Sequence, residues 1–102
     1  MESVAIELPQ DRIDDLCRRW KVRELSLFGS AVSGGFGSES DIDLLVTFAP
    51  DAGWDLWDLI DMRQELQDLL RRDVDLVEER SLRNPYRRRS ILRSKRVIYA
   101  AD

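Results

Sequence analysis

Two apolar segments of this chain carry acidic residues where apolar side chains should stand. Asp41-Ile42-Asp43-Leu44-Leu45-Val46-Thr47-Phe48 reads as a strand that opens on two acids. Val74-Asp75-Leu76-Val77 reads as a shorter strand with an acid inside it. Side chains alternate along a strand, so Asp41 and Asp43 point to the same face. Two neighbouring carboxylates repel, and the pKa of one rises. A strand carries such a pair cheaply only where the face is wet or a cation sits between them. A solvated strand start, or an aspartate capping a loop, is the plain structural account. If the two strands pair, Asp75 reaches the Asp41/Asp43 position. Three carboxylates converging from two strands suit hard cations such as magnesium, and in phosphoryl-transfer enzymes two such ions lie about 3.5–4 Å apart. Asp73 alternates with Asp75 and competes for the third place. Asp75 is preferred, because Asp73 follows Arg71-Arg72 at the strand's entrance.

The remaining elements follow from periodicity. After Pro9, the residues Ile13, Leu16, Cys17 and Trp20 fall at i, i+3, i+4 and i+7, one stripe of a helix. Glu24-Leu25-Ser26-Leu27-Phe28 alternates as a strand and runs into Gly29-Ser30. A Gly/Ser-rich loop follows, with at most one short helical turn near 30–32. Leu59, Met62, Leu66, Leu69 and Leu70 mark a long amphipathic helix over about 55–71. Asn84 offers an N-cap and Pro85 an N1 residue for a helix ending near Arg93 or Ser94. Val97-Ile98-Tyr99 closes as an edge strand. With no repeat or linker, the chain reads as one domain over residues 1–102. The expected fold class is α+β, an α/β sandwich in which a small mixed sheet has helices packed on one face.

Composition narrows the chemistry. Histidine is absent from all 102 residues, which removes histidine triads, histidine bases and histidine-ligated zinc. Catalysis must then run on carboxylates. The single cysteine, Cys17, excludes an internal disulfide framework and fits a reducing cytoplasm. With no histidine to activate it, Cys17 reads as core filler. No apolar run is long enough to span a bilayer, and Met1-Glu2-Ser3 does not open a secretory signal. The net charge of −4 hides a split. Residues 1–79 hold 19 acids and 8 bases, whereas residues 80–102 hold 8 bases and one acid. The basic end reads as a solvated helix face, a surface for an acidic partner or a nucleic-acid contact. The acidic balance of the whole domain weighs against the last. Trp20, Trp54 and Trp57 read as core or interface residues rather than base-stacking platforms. Trp54 and Trp57 flank a loop expected near the site, which points to a homodimer or a complex with a partner.

Gly29-Ser30 completes the pattern. Glycine lets a backbone approach closely, and free N–H groups at a helix start bind anions such as a triphosphate. A Gly-Ser pair after a strand is common, but its fixed interval to Asp-x-Asp is specific. Phe28-Gly29-Ser30-Ala31, ten residues between Ser30 and Asp41, then Asp41-Ile42-Asp43-Leu44-Leu45-Val46 resembles the minimal nucleotidyltransferases (MNT) of the DNA polymerase β superfamily. Val74-Asp75-Leu76-Val77 stands where that branch has its last metal-site aspartate. The Asn84-Pro85 helix and the Val97-Ile98-Tyr99 ending are also similar. The Arg87-Arg88-Arg89 run is a departure and reads as a mark of partner choice.

The resemblance implies a polymerase β-type nucleotidyltransferase fold. It also implies transfer of a nucleoside monophosphate from an NTP to a hydroxyl, with release of pyrophosphate. On that analogy Asp41 and Asp43 bind both magnesium ions. Asp75 binds the catalytic ion and helps deprotonate the acceptor. Gly29 and Ser30 hold the β- and γ-phosphates, with Ser40 near them. Family members of this size are commonly encoded beside a HEPN-domain RNase toxin and act as its antitoxin, and some adenylylate a toxin tyrosine with ATP. The resemblance therefore implies a HEPN toxin partner. Two alternatives remain: an antitoxin that acts by binding alone, and a small-molecule nucleotidyltransferase. Against the second, the chain shows no additional substrate-binding domain.

Overall fold

The computed structural model describes residues 8–29 and 41–101. Ser30, Ser40 and the turn expected near 30–32 lie outside the described residues. The described elements run α1 (Gln10–Arg19), β1 (Val22–Phe28), β2 (Ile42–Phe48), α2 (Leu56–Leu70), β3 (Val74–Glu78), α3 (Pro85–Ser94) and β4 (Arg96–Ala100). A short 3-10 turn at Glu79–Ser81, which periodicity did not suggest, joins β3 to α3. The strands form one mixed sheet in the order β3-β2-β1-β4. β1 pairs antiparallel with both β2 and β4, and β2 pairs parallel with β3. The α+β class and mixed sheet expected from the sequence are therefore present, with β4 at an edge.

Local chemistry explains the element ends. Asp55 and Asp58 form a reciprocal capping box at the start of α2, each carboxylate accepting from the other's backbone N–H at 2.9 and 3.0 Å. Arg71 ends α2 in the left-handed region. Asn84 caps α3 as expected, its Oδ1 accepting from the N–H groups of Tyr86 (2.9 Å) and Arg87 (3.2 Å). Pro85 takes N1, where a missing N–H costs nothing. Asn84→Ala is expected to cost about 1 kcal/mol. For a domain of this size that lowers the melting temperature by roughly 4–8 °C. Thermal denaturation followed by circular dichroism checks it.

Burial alternates across the sheet. On one face Leu25, Leu27, Ile42, Leu44, Val46 and Val74 meet Ile13, Leu16 and Cys17 of α1 and Met62 and Leu66 of α2. The opposite face carries Phe28 and Leu45, which pack with Leu82 and with Ile91 of α3. The main core thus lies under α1 and α2, and α3 covers a smaller patch on the other side. The expectation of helices on one face alone is thereby corrected: Phe28 and Leu45 leave an apolar patch on the second face that Ile91 buries. Cys17 is buried in the main core, and burial pushes its thiol up to about 12, so it is inert filler.

Trp20 and Trp54 meet edge-to-face at 4.9 Å between centroids. The Trp54 indole N–H donates to the Trp20 carbonyl at 2.6 Å, and that of Trp20 to Glu65 at 2.9 Å. Both lie where β1 begins and β2 has ended, at the end of the sheet away from Asp43. The sequence reading that set Trp54 and Trp57 beside the site is thereby corrected. The loop after β2 returns to the start of β1, where Ala49 N–H donates to the Lys21 carbonyl. Trp57, in the first turn of α2, is 73% exposed.

Candidate active site

The three aspartates are placed by strand register. β2 begins at the end of the sheet where antiparallel β1 finishes, and Phe28 stands directly across from Asp43. On its other side β2 pairs with β3 so that Asp43 stands opposite Asp75. The ladder extends outward, Ile42 N–H donating to the Asp73 carbonyl at 2.9 Å. Gln67 of α2 anchors the start of β3 by accepting from Val74 N–H at 3.1 Å. Asp43 and Asp75 share the face that carries Phe28 beside Asp43 and Leu45 further along β2. Asp41 precedes β2 and is exposed; Asp75 is exposed, and Asp43 is partly buried.

Asp43 is the electrostatic centre of this group. Its carboxyl is held above the ordinary carboxylate range, first by burial, then by the negative charges of Asp75 and Asp41, against the opposing charge of Arg87. The repulsion anticipated for neighbouring aspartates is therefore present, and it includes Asp75. Asp73, the competing candidate, contributes its carbonyl to the ladder. Among the described residues, no group of three or more acidic side chains stands close enough to hold a metal ion as placed. What the chain does provide is an all-carboxylate donor group on one wet face, the donor type that hard divalent cations take.

Gly29 touches this group directly. Its φ of +67° is in the left-handed region that side-chain-bearing residues avoid. A Cβ built there would lie 3.2 Å from Asp43 Cγ and closer still to Oδ2. Glycine at 29 is therefore a requirement of both the turn and the carboxylate beside it. The Gly29-Ser30 pair at the end of a strand suggests phosphate binding; the described geometry adds close packing of Gly29 on Asp43.

Residues 12–98 match the model of the nucleotidyltransferase domain family. The chain belongs to that family. This nucleotidyltransferase is 39% identical over 70 residues to the protein adenylyltransferase MntA of Thermococcus cleftensis, covering 69% of each chain. Its fold is similar to a chain of a toxin–antitoxin crystal structure with AMP-PNP, at a TM-score of 0.75 and 28% identity, covering 93% of this chain and 76% of that one. It is also similar to a chain of a complex between tri-AMPylated Shewanella oneidensis HEPN toxin and MNT antitoxin. There the TM-score is 0.63 at 26% identity, covering 90% of this chain and 70% of that one. The enzyme class expected from the Asp and Gly motifs is thus the class of the relatives.

Sequence reasoning passed over one residue of this site. Arg87 was grouped with Arg88 and Arg89 as a basic run, yet its charge acts on Asp43. Its spacing of four from Ile91 was the available signal, since residues four apart share a helix face.

Proposed function

We propose that this nucleotidyltransferase is an antitoxin that moves AMP from ATP to a hydroxyl, a tyrosine in the favoured case, of a HEPN RNase toxin. The observation that carries the reading is the Asp43–Asp75 register beside Gly29. It is supported by likeness to an adenylyltransferase and to antitoxins solved with AMP-PNP and with an AMPylated toxin. Asp41, Asp43 and Asp75 would hold two magnesium ions. When bound, these neutralise phosphate charge and lower the acceptor's pKa. The carboxylates fix the position where the α-phosphate meets the acceptor, and Asp75 takes up the hydroxyl proton. The acceptor oxygen bonds to the α-phosphorus as the bond to the β-phosphate oxygen breaks, and pyrophosphate leaves. Gly29 and Ser30 would line the β- and γ-phosphates, with Ser40 close to them. One buried free cysteine and a need for ATP fit a cytoplasmic setting. No described helix is long and apolar enough to cross a membrane.

The test is a transfer assay with radiolabelled ATP, magnesium and the protein encoded beside this chain. Label on that protein is expected with the wild type and with Asp73→Asn. With Asp41→Asn or Asp75→Asn it should fall at least a hundredfold, several kcal/mol of lost charge stabilisation. A complex that silences the neighbour with no label transferred would leave a binding antitoxin instead. Equal loss in Asp73→Asn would reassign the third carboxylate.

A further inference from the structure

The arginines of the 80–96 segment are not equivalent. Arg88 is ion-paired to Glu79 and also donates to the Glu79 carbonyl at 3.2 Å. Arg80 is paired to Glu78 at 2.9 Å. Arg89 and Arg93, four residues apart, line a shallow groove with Pro85, Arg88 and Leu92. Arg87 is outside that groove. Among the described residues its guanidinium has no hydrogen-bonded or ion-pair partner, although Asn84 holds its backbone N–H.

The position of Arg87 is set by its helix. Ile91, one turn later, is buried against Phe28, Leu45 and Leu82. Arg87 therefore lies on the sheet-facing side of α3, one turn nearer the helix start. Leu45 is two residues from Asp43 on the same face of β2, and Phe28 stands across from Asp43. The charge of Arg87 is felt at Asp43, but the two are not in ion-pair contact. A long cation at the rim of a carboxylate group, with no partner of its own among the described residues, can take an anion that enters with metal ions.

We propose that Arg87 binds the phosphates of the nucleotide, delivered by α3 to the rim of the Asp43–Asp75 site and gripping phosphate oxygens through its planar fork. The proposal rests on the nucleotidyltransferase reading above. Guanidinium matches phosphate geometry bidentately, and such charge-assisted contacts are about twice as strong as neutral ones. The arginine run then divides its work. Arg87 serves the substrate, Arg88 pins α3 to the turn after β3, and Arg89 and Arg93 face away from the site.

Titration calorimetry on the full chain, with magnesium present, tests this using ATP and pyrophosphate as separate probes. Arg87→Gln should weaken both about 10- to 100-fold. Arg87→Lys, which keeps the charge and loses the fork, should fall between it and the wild type. Arg89→Gln should stay within about twofold of wild type, and thermal melts should confirm that all variants fold. Unchanged affinity in Arg87→Gln overturns the proposal. So does weakening for ATP with pyrophosphate unaffected, which would place Arg87 on the nucleoside. Loss of transfer with both affinities intact would place it on the acceptor, again against the proposal. A wild type that binds neither probe would instead overturn the nucleotidyltransferase reading itself.

Discussion

Replacing Asp43 by asparagine is expected to cut transfer about a thousandfold or more while raising the melting temperature of the metal-free protein. The first effect removes a carboxylate from the proposed magnesium site, where several kcal/mol of charge stabilisation are made. The second follows from the sign of the Asp43 shift. Burial and the charges of Asp75 and Asp41 raise its folded pKa above the unfolded value. Between those two values the folded chain binds more protons than the unfolded one, so stability falls as pH rises. The stabilisation is complete below the ordinary carboxylate pKa and is lost once pH passes the folded value. At neutral pH the wild type therefore carries a charged Asp43 at a cost that asparagine removes. Magnesium should reverse the order, raising the melting temperature of the wild type and not of the variant. Melts from pH 4 to 8 in chelator and in magnesium measure this. A variant that melts below the wild type in chelator at pH 7 would show that the folded surroundings stabilise the charged Asp43 and that burial and like charge do not penalise it.

Gly29→Ala is expected to damage stability and activity together, by separable routes. A side chain at φ +67° costs roughly 1–2 kcal/mol. That lowers the melting temperature by about 4–8 °C per kcal/mol in a domain of this size. The new Cβ also collides with the Asp43 carboxylate, a short side chain with little room to retreat. Displacing it by even 1 Å can cost about a hundredfold in rate. Gly29→Asn separates the two. Asparagine tolerates the left-handed region better than alanine but brings the same Cβ. It should recover part of the melting temperature and none of the transfer activity. Full activity in either variant would mean that Asp43 is not held against Gly29 during turnover.

Both predictions come from one corner of the fold, and that corner was only partly legible in the chain. The aspartates stood out because Asp43 and Asp75 interrupt apolar strands, and an acid in a half-buried strand needs a reason. The interval from Gly29-Ser30 to Asp41-Ile42-Asp43 carried the family resemblance, and the matched family is the one it indicated. Leu59, Met62, Leu66 and Asn84-Pro85 set the later helices, since stripes and caps are local features. The placement of Trp54 near the site failed because a loop's neighbours depend on where its flanking strands end. The loop after β2 turns back to Lys21, one strand-length from Asp43.

The sequence by itself therefore determined the order of the main strands and helices, the acidic residues that stand out in apolar strands, and the family to which the chain belongs. It could do so because side-chain period, helix caps and residue type are written within a few positions of one another. Tertiary structure alone decided that Asp43 stands opposite Asp75, that Gly29 packs on the Asp43 carboxylate, and that α3 brings the charge of Arg87 to bear on Asp43. Those are questions of register and of sheet face. They are answered by which buried side chains, Leu44 with Leu66 on one side and Leu45 with Ile91 on the other, fill the two layers at once.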